Sequence, residues 1–294
     1  MQTSIFETLK KLGLTSIESR VLFNERTRDE VNLKVWKDND SGIIYIDDFY
    51  TGEQTYIDGF YRDAKVIDLK TGKPDFERNL DAQRRLASNL KFVAGKKIAD
   101  FGCGTGYFLK LVQPYCEKVI GIELQQNFVD ELNAKGIPCT NDLENIEDSS
   151  LDVIVSFHVI EHLPNPLETL SLLMRKVVSG GLILIEVPHA NDFLLSHINC
   201  EKFKQFTLWS QHLVLHTRES LLKTLSYIGL KQIQIKGVQR YPLSNHINWL
   251  ANGKPGGHKS SLSSLDSKEL FDAYESALAK IDATDTLIAI AKVP

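Results

Sequence analysis

Residues 98–108 read IADFGCGTGYF. A short apolar run ends in Gly102, Gly104 and Gly106, and the stretch YFLKLVQ that follows has helical spacing. The pattern predicts a strand, a tight glycine turn and a helix. In a doubly wound sheet, ligands bind at such turns, outside the carboxyl ends of the strands. Glycine lets the backbone bend sharply and lets a ligand lie against it. Two carboxylates accompany the turn. Asp100 sits two residues before the first glycine, and Glu123 closes the next apolar run, seventeen positions after Gly106. A carboxylate there can accept hydrogen bonds from both ribose hydroxyls. The dinucleotide fingerprint G-x-G-x-x-G would need a glycine where Tyr107 stands, so a pyrophosphate is not the expected ligand.

Working outward, KVIGIE (118–123), GIPCT (136–140), LDVIVSF (151–157) and GLILIEV (181–187) are β-rich runs. Helical patterns separate them at 127–135 and 166–177. Such alternation indicates a parallel sheet covered on both faces, with right-handed crossovers. A helix at 218–230 then leads to two more strands, KQIQIKGV and TLIAIAKVP. The fold class is therefore α/β, doubly wound, with a mostly parallel seven-stranded sheet. Residues 1–95 form an N-terminal helix and hairpin extension, in which NLKVW and GIIYID flank the turn DNDSG. Residues 96–242 form the core, and 243–294 a cap insert with the last strand. The stretch NGKPGGHKSSLSS in the insert reads as a mobile loop.

Bulk properties narrow the function. The 294 residues carry 34 Lys+Arg against 38 Asp+Glu, a net charge of −4, with no basic run. No nucleic-acid partner is expected from such a balance. No apolar stretch is long enough to span a membrane, and the first residues lack a secretory signal pattern. Cys103, Cys116, Cys139 and Cys200 form no C-x-x-C pair, so they read as reduced thiols of a cytoplasmic protein. A homodimer stays open as the assembly.

From about Lys96 to His189 the sequence resembles the class I S-adenosylmethionine-dependent methyltransferases, whose fold is Rossmann-like. DFGCGTG looks like their first motif. The resemblance implies S-adenosyl-L-methionine as cofactor, held by Asp100, Gly102, Cys103, Gly104 and Gly106 at its methionine end. Glu123 and Leu124 would take the ribose, Asp142 and Leu143 the adenine, and Phe157 would close the pocket. Asp142 reads equally well as part of an ordinary surface turn.

HVIEHLPNP (158–166) begins just past the carboxyl end of LDVIVSF. Its first five letters match the H-x-x-E-H pattern of certain metallopeptidases. Pro164 and Pro166 cut any helix short, and the position belongs to a cofactor edge, so the peptidase reading is set aside. In one remaining reading Glu161 and His162 bond local backbone. In another, His158 is a general base, since imidazole accepts protons near neutrality. In a third, His158, Glu161 and His162 hold a divalent metal. The stretch is similar to the E-x-x-E-H segment of ubiquinone-biosynthesis O-methyltransferases, which holds Mg²⁺, with His158 in place of the first acid. Two imidazoles suit a softer ion better. His189, in EVPHAND, is a second candidate base, with Asn191 beside it. His212 could line the acceptor pocket, while His216 reads as packing.

KDNDSGIIYIDDFYTGEQTYIDGFYR is similar to the region before the glycine loop in sugar and polysaccharide methyltransferases with a small zinc ribbon. Asp38, Ser41 and Gly42 stand where those have C-x-x-C-G, so no zinc site is expected. Tyr56 and Tyr61 are candidates to cover the cofactor. The insert RYPLSNHINWLANGKPGGHKSS offers Arg240, Asn245, His246, Trp249, Lys254 and His258 to a polar acceptor, with Trp249 able to stack on a sugar. The resemblances together imply O-methylation of a sugar or sugar nucleotide of surface-polysaccharide biosynthesis. The alternatives are sugar C-methylation and a catalytically silent cofactor-binding module.

Overall fold

The computed structural model describes residues 4–47, 49–50, 52 and 76–294, the side chain of Phe76 excepted. The expectations for Tyr56 and Tyr61 lie outside them. The described chain begins with α1 (Ile5–Lys11), β1 (Arg20–Asn24), β2 (Val35–Asp38), β3 (Ile44–Ile46) and α2 (Phe76–Val93). The core follows as β4 (Lys97–Phe101), α3 (Tyr107–Val112), β5 (Lys118–Ile122), α4 (Gln126–Ala134), β6 (Cys139–Thr140), β7 (Leu151–Phe157), α5 (Pro166–Lys176) and β8 (Val177–Pro188). Then come α6 (Glu201–Thr207), β9 (Val214–Leu215), α7 (Arg218–Tyr227), β10 (Lys231–Val238), α8 (Leu243–Asn252), α9 (Lys268–Lys280) and β11 (Thr286–Lys292).

Seven strands form the main sheet in the order β10-β11-β8-β7-β4-β5-β6. Strands β8, β7, β4, β5 and β6 run parallel, and β11 is antiparallel to both its neighbours. Successive strand residues point to opposite faces, and here both faces are apolar. Val153 and Val155 of β7 and Leu184 of β8 pack with Val93, Leu109 and Leu132 on one side. Ile154, Ile183 and Ile185 pack with Leu170, Leu221 and Leu225 on the other. Continuous apolar runs such as VIV and LILI read as strands for this reason. Pro166 occupies the first turn of α5, where its missing N–H costs nothing.

The N-terminal extension is more than the expected hairpin. Its sheet has four strands, β1-β2-β3-β9, and the fourth comes from residues 214–215. Both faces of β3 are buried. Ile43 and Tyr45 meet α1 through Ile5, Phe6 and Leu9, while Ile44 and Ile46 meet Ala190, Leu195 and Leu208. The glycine-rich stretch of the insert is also more ordered than its composition suggests, forming 3₁₀ turns at Gly257–Lys259 and Ser261–Leu265.

At the turn after β2, Asp38 is 1% exposed. It accepts the N–H groups of Ser41 (2.9 Å) and Asp40 (3.0 Å) and the Ser19 hydroxyl. Hydrogen bonds thus fix the loop that thiolates and zinc would otherwise fix. Burial would raise the Asp38 pKa, but Ser19, Ser41 and Asp40 together pull it below the usual value. A depressed carboxylate contributes stability above its unfolded pKa and loses it as the pH falls through the folded one. Asp38→Ala should therefore cost about 1–3 kcal/mol near neutrality. Thermal melts should show the gap from wild type closing as the pH is lowered.

Candidate active site

The glycine turn lies at the carboxyl end of β4. Gly102 has φ 77°, and a Cβ there would come within 2.3 Å of the Val159 side chain. Gly106 has φ 72° and starts α3, where a Cβ would meet Leu132 at 2.5 Å. Both positions exclude other residues on two counts, dihedral and space. Gly106 does not join the cavity wall. Unlike the other two motif glycines it packs against Leu132, while its neighbours Thr105 and Tyr107 line the cavity.

Asp100, Gly102, Cys103, Gly104, Glu123, Leu124, Asp142, Leu143 and Phe157 line one end of a cavity of about 1600 Å³. Glu123 is 6% exposed; its Oε2 accepts the Gly104 N–H (2.8 Å) and its Oε1 the Gln125 N–H (3.1 Å). Asp142 accepts the Glu144 N–H at 2.9 Å and so begins a 3₁₀ turn while facing the cavity. Asp100 is buried, and its pKa is pushed up to about 7 by that burial and by Glu123, against the pull of Arg85. Two close carboxylates in one desolvated wall fit a ligand that is cationic and carries hydroxyl groups.

The same cavity continues past β7 to Glu161, His162, Trp209 and His212, and beneath the insert to Arg240, His246, Trp249 and His258. Lys254, His189 and Asn191 are not part of its wall. His189 is a correction with a simple cause. Along β8, Glu186 and Pro188 face the cavity side, so the next residue turns to the opposite face. There His189 Nδ1 donates to the Thr284 carbonyl at 2.9 Å, and burial lowers its pKa to about 4.

His158 reaches the cavity but is poorly suited to be a base. Its backbone is left-handed, with φ 57°, and its N–H donates to the Glu186 carbonyl at 2.8 Å. Nδ1 lies 3.2 Å from Glu161 Oε1, and Nε2 lies 3.2 Å from both Glu186 Oε1 and the Arg240 guanidinium. Burial and Arg240 oppose its protonation, yet the Glu161 and Glu186 carboxylates hold its pKa above the ordinary value. Both ring nitrogens already face protein partners, which leaves the ring poorly placed to take a substrate proton.

The metal-ligand set also changes. Glu161, His162 and His212 each offer one ligand atom, all within 4.8 Å of one another. His158 stands outside this group, and His212 enters it from fifty residues along the chain. Glu161 is fully buried, and its Oε2 has no hydrogen-bond partner among the described residues. His212 Nδ1 has none either. His162 Nδ1 donates to the Gln211 carbonyl at 2.7 Å, which leaves the lone pair on Nε2. Burial and His162 lower the His212 pKa to about 3, so that ring is neutral. Burial alone would raise the Glu161 pKa, but His158, His162 and His212 hold it at about 2. One carboxylate and two imidazoles fit a divalent transition-metal ion better than Mg²⁺.

On the insert side, Trp249 is 3% exposed, with Phe203 and Phe206 centroids at 5.3 and 5.1 Å, so its ring faces are not open for sugar stacking. His246 stacks on Phe193 and bonds Tyr274 Oη at 2.7 Å through Nδ1. His258 Nε2 lies 3.3 Å from Glu77 Oε1. Arg240 pairs with Asp81, whose pKa falls to about 2 as a result, despite its burial.

Sequence reasoning missed the ion cluster beneath these groups. Glu186 has 0% exposure. Arg84 reaches both its oxygens at 2.9 and 3.0 Å, and Arg85 reaches Oε1 at 2.7 Å. The signal was present as a lone glutamate in the run GLILIEV and an arginine pair in α2. Asp29, Trp209 and Ser210 carried no comparable signal.

The methyltransferase-domain family matches residues 76–235. The chain is 32% identical over 123 residues to a probable S-adenosylmethionine-dependent methyltransferase of Mycolicibacterium smegmatis. That match covers 40% of this chain and 47% of the relative, so the chain spans about half of the relative's length. It is 26% identical over 167 residues to a ubiquinone biosynthesis O-methyltransferase of Burkholderia pseudomallei, covering 52% and 72% of the two. A solved SAM-dependent methyltransferase from Archaeoglobus fulgidus shares the fold with TM-score 0.52 and 22% identity, over 73% of this chain and 94% of that one.

Asp100 should titrate near neutrality in the ligand-free protein. A carboxylate whose folded pKa lies above its unfolded one takes up a proton on folding between the two values. On its account, stability should fall as the pH rises from about 4 toward 7. Carboxyl ¹³C NMR should show the transition, and Asp100→Asn should remove both the resonance shift and that share of the slope.

Proposed function

The chain belongs to the S-adenosylmethionine-dependent methyltransferases, and from that premise we propose that it methylates a hydroxyl oxygen of a small polar acceptor, a sugar or sugar nucleotide of surface-polysaccharide biosynthesis. The observation that carries this reading is the continuity of one cavity from the glycine turn to the Glu161–His162–His212 corner. Bound S-adenosylmethionine supplies an electrophilic methyl on a sulfonium centre. The Gly102–Gly104 backbone leaves room for its methionine end. Asp100 faces its positive charge, Glu123 accepts the ribose hydroxyls, and Asp142 and Leu143 border the adenine.

The acceptor occupies the chamber beyond Phe157, with its hydroxyl at the Glu161–His162–His212 corner. His212, which lines this corner with a neutral ring, accepts the hydroxyl proton in place of His158 or His189 when no cation is bound there. Holding the two reactants in line supplies much of the acceleration. Glu161, His162 and His212 also suit a divalent cation, which would lower the pKa of a hydroxyl beside it. His158 hydrogen-bonds Glu161 and orients it. Arg240, His246 and His258 form the polar wall that faces the rest of the acceptor.

A second reading has its own support. Trp209 and Phe206 give the chamber aromatic walls, and the Burkholderia relative is a ubiquinone biosynthesis O-methyltransferase. A phenolic acceptor would use the same corner. Incubation with methyl-labelled cofactor, a panel of sugar nucleotides and a panel of phenols separates the two. Transfer to carbon, or no transfer to either panel, would overturn both.

Glu123→Ala should weaken S-adenosylhomocysteine binding at least about thirtyfold, ~2 kcal/mol, with little change in circular dichroism. Titration calorimetry reads it, and unchanged affinity would remove the ribose role. His212→Ala should lower turnover by about 10²-fold while S-adenosylhomocysteine affinity stays within about threefold. Chelation followed by add-back of Mn²⁺ or Zn²⁺ should lower and restore turnover if a cation works at the corner.

A further inference from the structure

The family match begins at residue 76, yet the acceptor corner is held in place from outside it. Arg28 N–H donates to the Leu208 carbonyl at 2.8 Å. The Asp29 carboxylate takes both donors of Ser210, the N–H on Oδ1 at 3.0 Å and the hydroxyl on Oδ2 at 2.6 Å. Thr27 steadies the carboxylate through its own hydroxyl at 2.8 Å. The Arg28 guanidinium lies over the Trp209 ring, 4.3 Å from its centroid. Farther on, Ile46 N–H donates to the Leu213 carbonyl at 2.9 Å. Residues 208–213 are therefore tied along one side to the N-terminal extension.

Their other side builds the corner. The Gln211 carbonyl receives His162 Nδ1–H, the Leu213 N–H donates to the Glu161 carbonyl at 2.8 Å, and His212 completes the group. We propose that Asp29 is a positioning residue for the acceptor side: by fixing Ser210 it places the Gln211 carbonyl that sets the His162 tautomer, and it places His212. This rests on the reading that the corner handles the acceptor. It assigns the N-terminal extension a task in the chemistry, performed through Ser210 and the segment that follows it. Charge-assisted hydrogen bonds of this kind are the stronger ones, and two parallel bonds to one residue fix orientation as well as distance.

The test needs no acceptor. In the full-length protein, imidazole ¹⁵N NMR should show His162 as the Nδ1–H tautomer. In Asp29→Ala that signal should move toward a tautomer mixture, and S-adenosylhomocysteine affinity by calorimetry should stay within about twofold of wild type. Asp29→Asn, which keeps an acceptor for the Ser210 N–H, should recover part of the wild-type spectrum. Ser210→Ala removes a single hydroxyl and gives the same reading if Asp29→Ala fails to fold. An unchanged His162 spectrum in these variants overturns the proposal. So does a loss of S-adenosylhomocysteine affinity in step with the tautomer change, which would mark a general structural role. Once an acceptor is known, Asp29→Ala should raise its KM or lower kcat by about tenfold or more, while the cofactor's KM is unchanged. If the tautomer shifts but no methyl acceptor is ever found, the clamp stands and the functional reading falls.

Discussion

A carboxylate with no exposure to water sits at the end of a central strand. Stripping an ion of solvent costs several kcal/mol even after relaxation, so Glu186 is tolerable only with partners at hydrogen-bond distance. It receives two arginines from α2 and stands beside the His158 ring. Those three groups come from two elements that face the cofactor turn. Arg85 also lies 4.6 Å from the Phe157 ring centroid and lowers the pKa of Asp100. Arg240, from the insert, adds its charge against His158 and is itself neutralised by Asp81 of α2. One buried charge thus requires α2, β7, β8 and the entry to the insert to converge, and the walls of the cavity follow from that convergence.

The histidines show how burial divides a single residue type into different species. The His158 pKa is raised above its ordinary value by two carboxylates. His162 is fixed as one tautomer by a carbonyl, and His212 is held neutral by its surroundings. His189, His216 and His246 are neutral as well, with pKa values near 4, because their rings are enclosed.

The sheet was readable because its information is local. Apolar runs, glycine breaks and the Glu123 spacing lie within thirty residues of one another, and alternation of side chains on both faces leaves few other folds. The Glu161–His162–His212 group was only half readable. HVIEH brings Glu161 and His162 together past the strand end, but the same five letters promoted His158, whose partner Glu186 lies beyond the reach of any local pattern. The third member, His212, follows Ser210, which bonds Asp29 from 181 residues earlier. His189 was misread for a related reason: a motif gives order along the chain, not the face to which each residue turns. The ion cluster of Arg84, Arg85 and Glu186 spans about a hundred residues and could be suspected only from a charge out of place.

The four-stranded sheet has a consequence for biosynthesis. Its inner strand β3 waits for β9, which leaves the ribosome almost 170 residues later. At ordinary elongation rates that interval is about ten to thirty seconds. Throughout it, Ile44 and Ile46 present an unpaired apolar edge of the kind that invites association with other nascent chains. The amino-terminal third is made first but is among the last parts to close, and whatever shields that edge in the meantime governs how much of the protein reaches its native state.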